Sequence, residues 1–383
     1  MTGYNKWVRS VIGLLLLLFI GTMVVINFLT PDKTFSEAEN RVLDSRPSFS
    51  LQSLLSGEFM KDYEQYVTDQ FAFRNEWIGI KTDADRALGK KDSNGVYLGA
   101  DGYLIQSFTS PQEADMEERI RAIHSFHQDT PDLRKYILLA PTAASVLQSK
   151  LPAYAPVGNQ RAVLNQFRQK LERLGPDIRF IDVYPALYAK REEYIYYKTD
   201  HHWTTKGAYY AYQALGQEMG LTPKEEEYFN ITKGADAFYG SLYSKSGFKH
   251  LNPDSISLYL PKSKEQVQVE YLGGEYKSTD SLYAMDHLHQ KDKYDVFLNG
   301  NHSLVKITTG HEQERKLLVV KDSYANSFIP FLALHFSEIY VVDLRYYTDS
   351  LDTLIRENQI QDMLLLYNAT TFFDDPFIKD LSE

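Results

Sequence analysis

The chain of 383 residues contains no cysteine. Disulfides, thiol nucleophiles and cysteine-based metal sites are thereby excluded together. The compartment is left open, because a surface protein can dispense with disulfides. Basic residues are in deficit: 41 lysines and arginines against 51 aspartates and glutamates leave a net charge of −10. No basic stripe interleaves with aromatics, so a nucleic-acid partner is not expected. Tryptophan is scarce at 3 residues, whereas tyrosine is plentiful at 28. Exposed tyrosines can stack on sugars, although most serve a core or its rim. Long uncharged apolar runs are confined to residues 11–29.

That run is long enough to cross a bilayer core as a helix. Lys6 and Arg9 precede it, so the positive-inside rule keeps the N-terminus cytoplasmic and sends the remainder outside. A cleaved signal peptide is the rival, but Ile26-Asn27-Phe28-Leu29-Thr30 offers no small-residue cleavage site. The expected layout is a cytoplasmic tail (1–9), a transmembrane signal anchor (10–30), a polar stalk (31–50) and an extracellular domain (51–383). The protein is thus expected at the cell membrane, single-pass. Within residues 51–88, Phe59, Tyr63, Tyr66, Val67, Phe71, Trp77, Ile78 and Ile80 are spaced for the buried face of helices.

Alternating strands and helices follow. Apolar runs at 136–140, 180–183, 317–320, 339–342 and 363–366 read as buried strands, and 116–128, 159–174, 206–219 and 351–358 as helices. This rhythm argues for an α/β domain with a mostly parallel sheet. Residues 325–336 read as a helix kinked by Pro330. Residues 221–314 break the pattern and read as an insertion or lid. In open α/β sheets ligands bind beyond the carboxyl ends of the strands, where Ser323, Arg345 and Asn368 all stand.

The densest proton-transfer chemistry lies at 196–205, where Asp200, His201, His202 and Trp203 are adjacent. On extended backbone Asp200 and His202 would share a face, with His201 opposite. A carboxylate beside an imidazole fixes its tautomer and stabilises the imidazolium, as a general base requires. The plain alternative is a polar loop closing onto the next helix, with Thr204 or Thr205 as N-cap. Zinc is a third option, but adjacent histidines rarely ligate one ion and no clear third ligand is nearby. The preferred reading needs no metal and no cofactor.

Ser323 at a strand-to-helix junction would have its backbone N–H where an oxyanion is favoured. Its hydroxyl needs a base, and His202 with Asp200 supplies one. The oxyanion would be held by the Ser323 N–H and the Asn368 side chain, with Arg345 as a further candidate. Each has a bland counterpart. Asp322-Ser323 can simply cap a helix, Asn368 can serve a turn, and Arg345 can pair with Asp343 or Asp349. Ser241 in Gly240-Ser241-Leu242 lacks an elbow around it and is a weak nucleophile candidate. Asp286, His287 and His289 read as a solvated loop rather than a ligand set.

Thr199-Asp200-His201-His202-Trp203-Thr204 resembles the signature of the bacterial DHHW family. Residues 94–104 (NGVYLGADGYL), 321–328 (KDSYANSF) and 343–347 (DLRYY) extend the likeness across nearly the whole soluble region. DHHW proteins are similar to the alginate O-acetyltransferases, which share an Asp-x-His-Trp motif followed later by a serine. The resemblance implies an SGNH hydrolase-like parallel sheet flanked by helices, with the order of serine and histidine blocks circularly permuted. Carried over, Ser323 matches the nucleophile, His202 the base, Asp200 its orienting acid and Asn368 the oxyanion asparagine. Arg345 falls roughly where the second-block glycine would be, and the serine block reads Lys-Asp-Ser-Tyr rather than Gly-Asp-Ser. Tyr324 and Trp203 complete the expected substrate-binding set. The implied function is acetyl transfer to, or removal from, a cell-surface polysaccharide, beside a membrane-bound O-acyltransferase partner. A membrane-anchored polysaccharide-binding or assembly protein without catalysis is the reading from a different class.

Overall fold

The computed structural model describes residues 2–36, 41–263, 266–273, 276–311 and 314–382. Two compact units emerge, residues 1–90 with 247–249, and 91–246 with 250–383.

In the first unit a helix spans Thr2–Leu29. Its stretch Trp7–Leu29 is apolar and long enough to cross a membrane, consistent with a signal sequence or a single anchor. The segment expected as a stalk is tied down where it is described; residues 37–40 of it lie outside the described residues. Phe35–Ser36 pairs antiparallel with Arg41–Val42. The Gln70 amide donates to the carbonyls of Lys33 and Asp44, both at 2.9 Å. Helices Leu51–Ser56, Glu58–Asp69 and Arg74–Ala87 follow. Ser50 and Ser53 form a capping box that starts the first of these. Gly57, at φ 80°, takes the left-handed conformation that separates it from the second. The aromatic spacing in this region does not mark a buried face: Tyr63, Phe71, Trp77 and Ile80 are 39%, 37%, 37% and 58% exposed. Three short helices in a small unit enclose too little volume to bury them.

In the second unit the main sheet has, among the described residues, eight strands. In chain order these are β1 (Arg134–Ala140), β2 (Arg179–Phe180), β3 (Val267–Tyr271), β4 (Lys277–Thr279), β5 (Leu304–Thr309), β6 (Lys316–Lys321), β7 (Glu338–Val342) and β8 (Asp362–Asn368). They lie in the order β4-β3-β5-β7-β6-β8-β1-β2. The five strands from β7 to β2 are mutually parallel. The edge β4-β3-β5 is antiparallel.

The middle stretches of the central parallel strands are continuously apolar because both faces are covered. Leu317, Val319, Ile339, Val341, Leu364 and Leu366 face a core that includes Trp203, Tyr209, Tyr212 and Phe331. The alternate residues Leu318, Val320, Tyr340, Val342, Met363 and Leu365 face Ile120, Ile123, Phe167, Leu171, Leu354 and Phe372. Each such side chain contributes on the order of 2 kcal/mol when removed from water. Helices Glu113–Asp129, Gln160–Leu174 and Leu351–Asn358 cover the second face, and Thr205–Glu218 covers the first. As expected for the last of these, Thr204 is the N-cap, its hydroxyl accepting the Gly207 N–H at 3.2 Å.

Two expectations change. The segment 221–314 is not a lid laid over a finished sheet, since 267–309 supplies the antiparallel strands β3, β4 and β5. Only its first part forms a separate hairpin, Phe229–Phe238 with Asp254–Pro261. Residues 264, 265, 274, 275, 312 and 313 of this segment lie outside the described residues. Pro330 does not kink a long helix either. It occupies the first turn of a short one, Ile329–Leu332, where its missing N–H costs nothing.

Parallel register fixes what meets at the carboxyl edge. Lys321 pairs with Leu366, and Val320 with Val342. Two residues beyond the first pairing the chain reaches Ser323 and Asn368, and three beyond the second it reaches Ser323 and Arg345. Asn368 itself pairs with Ala140.

Candidate active site

Ser323 opens a one-turn 3₁₀ helix, Ser323–Ala325, immediately after β6. It is the partly exposed residue in an otherwise buried run from Lys321 to Pro330. Its Oγ lies 2.7 Å from His202 Nε2. His202 Nδ1 in turn lies 2.5 Å from Asp200 Oδ1. A carboxylate only accepts, so Nδ1 carries the proton and Nε2 is left to accept from the serine hydroxyl.

Asp200 and His202 do not meet by sharing the face of a strand. The Asp200 carboxylate turns back to accept the His202 backbone N–H at 2.9 Å, and this local Asx turn delivers it to the ring. Accordingly His201 is not on an opposite face: its ring centroid lies 3.8 Å from that of His202. The other oxygen, Asp200 Oδ2, accepts the Ser241 N–H at 2.7 Å. A Cβ at Gly240 would fall 2.2 Å from the Asp200 Cβ and 2.3 Å from Oδ2. The Gly240-Ser241 turn thus clamps the acid, and Ser241 lies away from the nucleophile's place. Its Oγ shares a hydrogen bond with His201 Nδ1 at 2.6 Å. Upstream, the buried Asp254 accepts from the backbone N–H of Lys198 at 2.8 Å and of Thr199 at 2.7 Å, fixing the entry to the motif.

Burial would raise the Asp200 pKa, but the two histidines and the Ser241 N–H outweigh it and hold the carboxyl well below its ordinary range. Tyr294 stacks on His202 with centroids 3.8 Å apart and planes 11° apart. Its hydroxyl donates to the Ser323 carbonyl at 3.1 Å. Sequence reading missed Tyr294, Gly240 and Asp254, whose roles arise wholly from distant segments folding over the motif.

Trp203 is fully buried, and its Nε1 donates to the Tyr324 carbonyl at 3.0 Å and to Ser327 Oγ at 3.2 Å. It fastens the histidine loop to the serine turn and presents no surface to a substrate. The Tyr324 hydroxyl donates to the His201 carbonyl, so it too joins the two halves.

Asn368 is beside the serine turn, but its amide is committed. Nδ2 donates to Asp322 Oδ2 at 2.6 Å and to Thr371 Oγ1 at 2.5 Å, while Oδ1 accepts from Thr370 and Thr371. Asp322 accepts the Tyr324 N–H at 2.9 Å with its other oxygen, and burial pushes its carboxyl upward. Arg345 makes a two-point contact with Asp343, at 2.8 and 2.5 Å, which was the plainer of the two expectations for it. Lys321 Nζ is buried 3.5 Å from the same carboxylate, and burial lowers its pKa to about 8. The Ser323 backbone N–H has no acceptor among the described residues.

Donor atoms of Asp200, His201 and His202 all lie within 4.8 Å of one another, which is close enough for a metal ion. Asp200 and both Nδ1 atoms are already engaged in hydrogen bonds, which suits proton transfer better than ligation. His287, from the second histidine cluster, shares a hydrogen bond with Asn299 Oδ1 at 2.7 Å.

A family model described as DHHW protein matches residues 132–342. The "Probable alginate O-acetylase AlgJ" of Pseudomonas putida is 26% identical over 246 residues, covering 61% of this chain and 62% of that protein. The counterpart of the same name in Pseudomonas syringae pv. tomato is 24% identical over 247 residues, 61% of each chain. The chain therefore spans less than two thirds of the curated relatives it matches. A solved DHHW family protein from Eubacterium siraeum superposes with a TM-score of 0.66 at 25% identity, over 76% of this chain and 97% of that one. Bacillus cereus PatB1 shares the fold with a TM-score of 0.65 at 21% identity, over 75% and 98%. The family match covers more than half of the chain and contains both the histidine motif and the serine turn that meet across the sheet edge, so this protein belongs to the DHHW family.

Proposed function

We propose that the protein is a membrane-anchored, extracytoplasmic O-acetyltransferase that acylates a cell-surface polysaccharide through an acyl-serine, on an SGNH hydrolase-like sheet with permuted motif order. One observation carries the reading: the Ser323 hydroxyl is 2.7 Å from His202 Nε2, whose other nitrogen is held by Asp200. Similarity to the probable alginate O-acetylases AlgJ supports acetyl chemistry on a polysaccharide. The single N-terminal apolar helix supports the location, and a membrane-bound O-acyltransferase would supply the acyl group.

In the first half-reaction Ser323 Oγ attacks the donor carbonyl and passes its proton to His202 Nε2, while Asp200 stabilises the imidazolium. The leaving group takes that proton. The tetrahedral oxyanion is held by the unclaimed Ser323 N–H, a contact worth on the order of 3 kcal/mol. With its amide hydrogens given to Asp322 and Thr371, Asn368 stiffens the turn instead of binding the oxyanion. In the second half-reaction a sugar hydroxyl attacks the acyl carbon and gives its proton to His202, the bond from that carbon to Ser323 Oγ breaks, and Oγ recovers the proton. Water as acceptor would make the same site an esterase.

The test uses the detergent-solubilised full chain and p-nitrophenyl acetate. A burst of p-nitrophenol equal to the enzyme present, absent in Ser323→Ala, is the expected result. An undiminished burst in Ser323→Ala would remove the serine from this role and leave the non-catalytic glycan binder as the better account.

A further inference from the structure

Beside the catalytic pair lies a small recess lined by Gln106, Thr142, His201, Asn368, Thr370 and Thr371. It borders the centre through Asp200 and Tyr324 but is not lined by Ser323 or His202. Its volume is about 30 Å³. That is room for one or two waters, hence for a hydroxyl or hydroxymethyl group and not for a sugar ring.

The lining is unusually ready for hydrogen bonds. The Gln106 amide and the Thr370 hydroxyl have no hydrogen-bond partner among the described residues. His201 is held on three sides: Nδ1 by Ser241 Oγ at 2.6 Å, its ring by His202, and its carbonyl by the Tyr324 hydroxyl. Its Nε2 is unused among the described residues, so the proton relay through His202 does not account for this second imidazole. Burial and the neighbouring His202 hold the His201 pKa below the ordinary histidine range. The ring is neutral at neutral pH and can therefore serve a hydroxyl.

We propose that this recess is an acceptor subsite, in which His201, fixed by Ser241, binds the hydroxyl or hydroxymethyl group next to the sugar hydroxyl being acylated. The inference rests on the acyl-serine reading above. The attacking oxygen bonds to the acyl carbon as its proton passes to His202 Nε2. The bond from that carbon to Ser323 Oγ then breaks, and Oγ recovers the proton. Anchoring the neighbouring group in the recess aims the attacking hydroxyl and gives polyhydroxy acceptors an advantage over water and simple alcohols.

The experiment gives the full chain in detergent p-nitrophenyl acetate with either methyl β-D-glucopyranoside or propan-1-ol, at equal hydroxyl concentration. Acetylated acceptor is counted by mass spectrometry per p-nitrophenol released. The native protein is expected to favour the glucoside by about tenfold or more, the worth of one hydrogen bond. His201→Ala and Thr370→Val each erase most of that preference, and His201→Gln, which keeps a polar end, restores part of it. No preference in the native protein, or a preference undiminished in both variants, overturns the subsite. So does a loss of p-nitrophenol release in His201→Ala that is equally large with no acceptor present, which would make His201 a support for the relay. Release that survives Ser323→Ala without acceptor would instead overturn the acyl-serine reading, so the two failures are distinguishable.

Discussion

At the scale of single residues, the Asp200 carboxylate has the most demanding position. It serves the His202 ring, the His202 N–H and the Ser241 N–H at once, from a site nearly closed to water. Asp200→Asn keeps the shape but places an amide where the ring needs an acceptor, favouring the wrong tautomer. The p-nitrophenyl acetate turnover number should fall by about 10³–10⁴, with the protein still folded by circular dichroism. Gly240→Ala should also cost activity for a different reason. The new methyl would meet Asp200 atoms at 2.2 to 2.6 Å, and the acid must move to admit it. Tyr294 invites a paired comparison: Tyr294→Phe keeps the stack on His202 and should cost a few-fold in turnover at most. Tyr294→Ala loses the stack and should cost more, about tenfold or beyond.

Between elements, buried cations do much of the joining. Arg119, on helix Glu113–Asp129, donates to the carbonyls of Phe372, Phe373 and Asp375 at 2.9, 2.6 and 3.0 Å. Arg119→Met would leave those acceptors without their donor and should lower unfolding free energy by on the order of 3 kcal/mol, read from urea midpoints. Lys321, ending β6, makes a pH-dependent contribution. Burial lowers its pKa to about 8 in the folded chain, while an unfolded lysine returns to about 10.4. Between those values the unfolded state binds more protons, so this residue's contribution to stability rises with pH through that window and is flat below it. Native protein should therefore gain stability relative to Lys321→Met between pH 8 and 10. Asp343 keeps Arg345 as partner in the variant, so the comparison leaves no carboxylate unpaired.

For the whole molecule, the question is where the chain resides. If the apolar Trp7–Leu29 helix is retained as an anchor, the protein should stay in the membrane pellet after alkaline carbonate extraction. Recovery of a shortened form in the medium would identify the helix as a removed signal. The residues of the proton relay all belong to the α/β unit. That relay is assembled where the histidine loop is fastened, through Trp203 and Tyr324, to the serine turn at the carboxyl end of β6.

The central strands were legible because strands covered on both faces carry continuous apolar runs, here residues 317–320, 339–342 and 363–366. For the same reason Ser323 could be placed at a strand end, while the closeness of Asp200 and His202 in the chain allowed a proton relay but left a polar loop and a zinc site beside it as alternatives. Adjacency could not show that an Asx turn joins them, nor that Tyr294 and Gly240 enclose them, because those contacts depend on chain segments brought together only by folding. The aromatic spacing of 59–80 resembled a buried face, yet burial depends on having volume to pack against, which spacing does not report. In the same way, the donors on Asn368 and Arg345 were visible in the chain, but their partners were not. By itself the sequence determined which groups could carry the chemistry and which central segments would be the parallel strands, but not the antiparallel strands of 267–309. Tertiary structure alone decided which of those groups remain free to act, because a hydrogen bond taken by a neighbour is no longer available to a substrate.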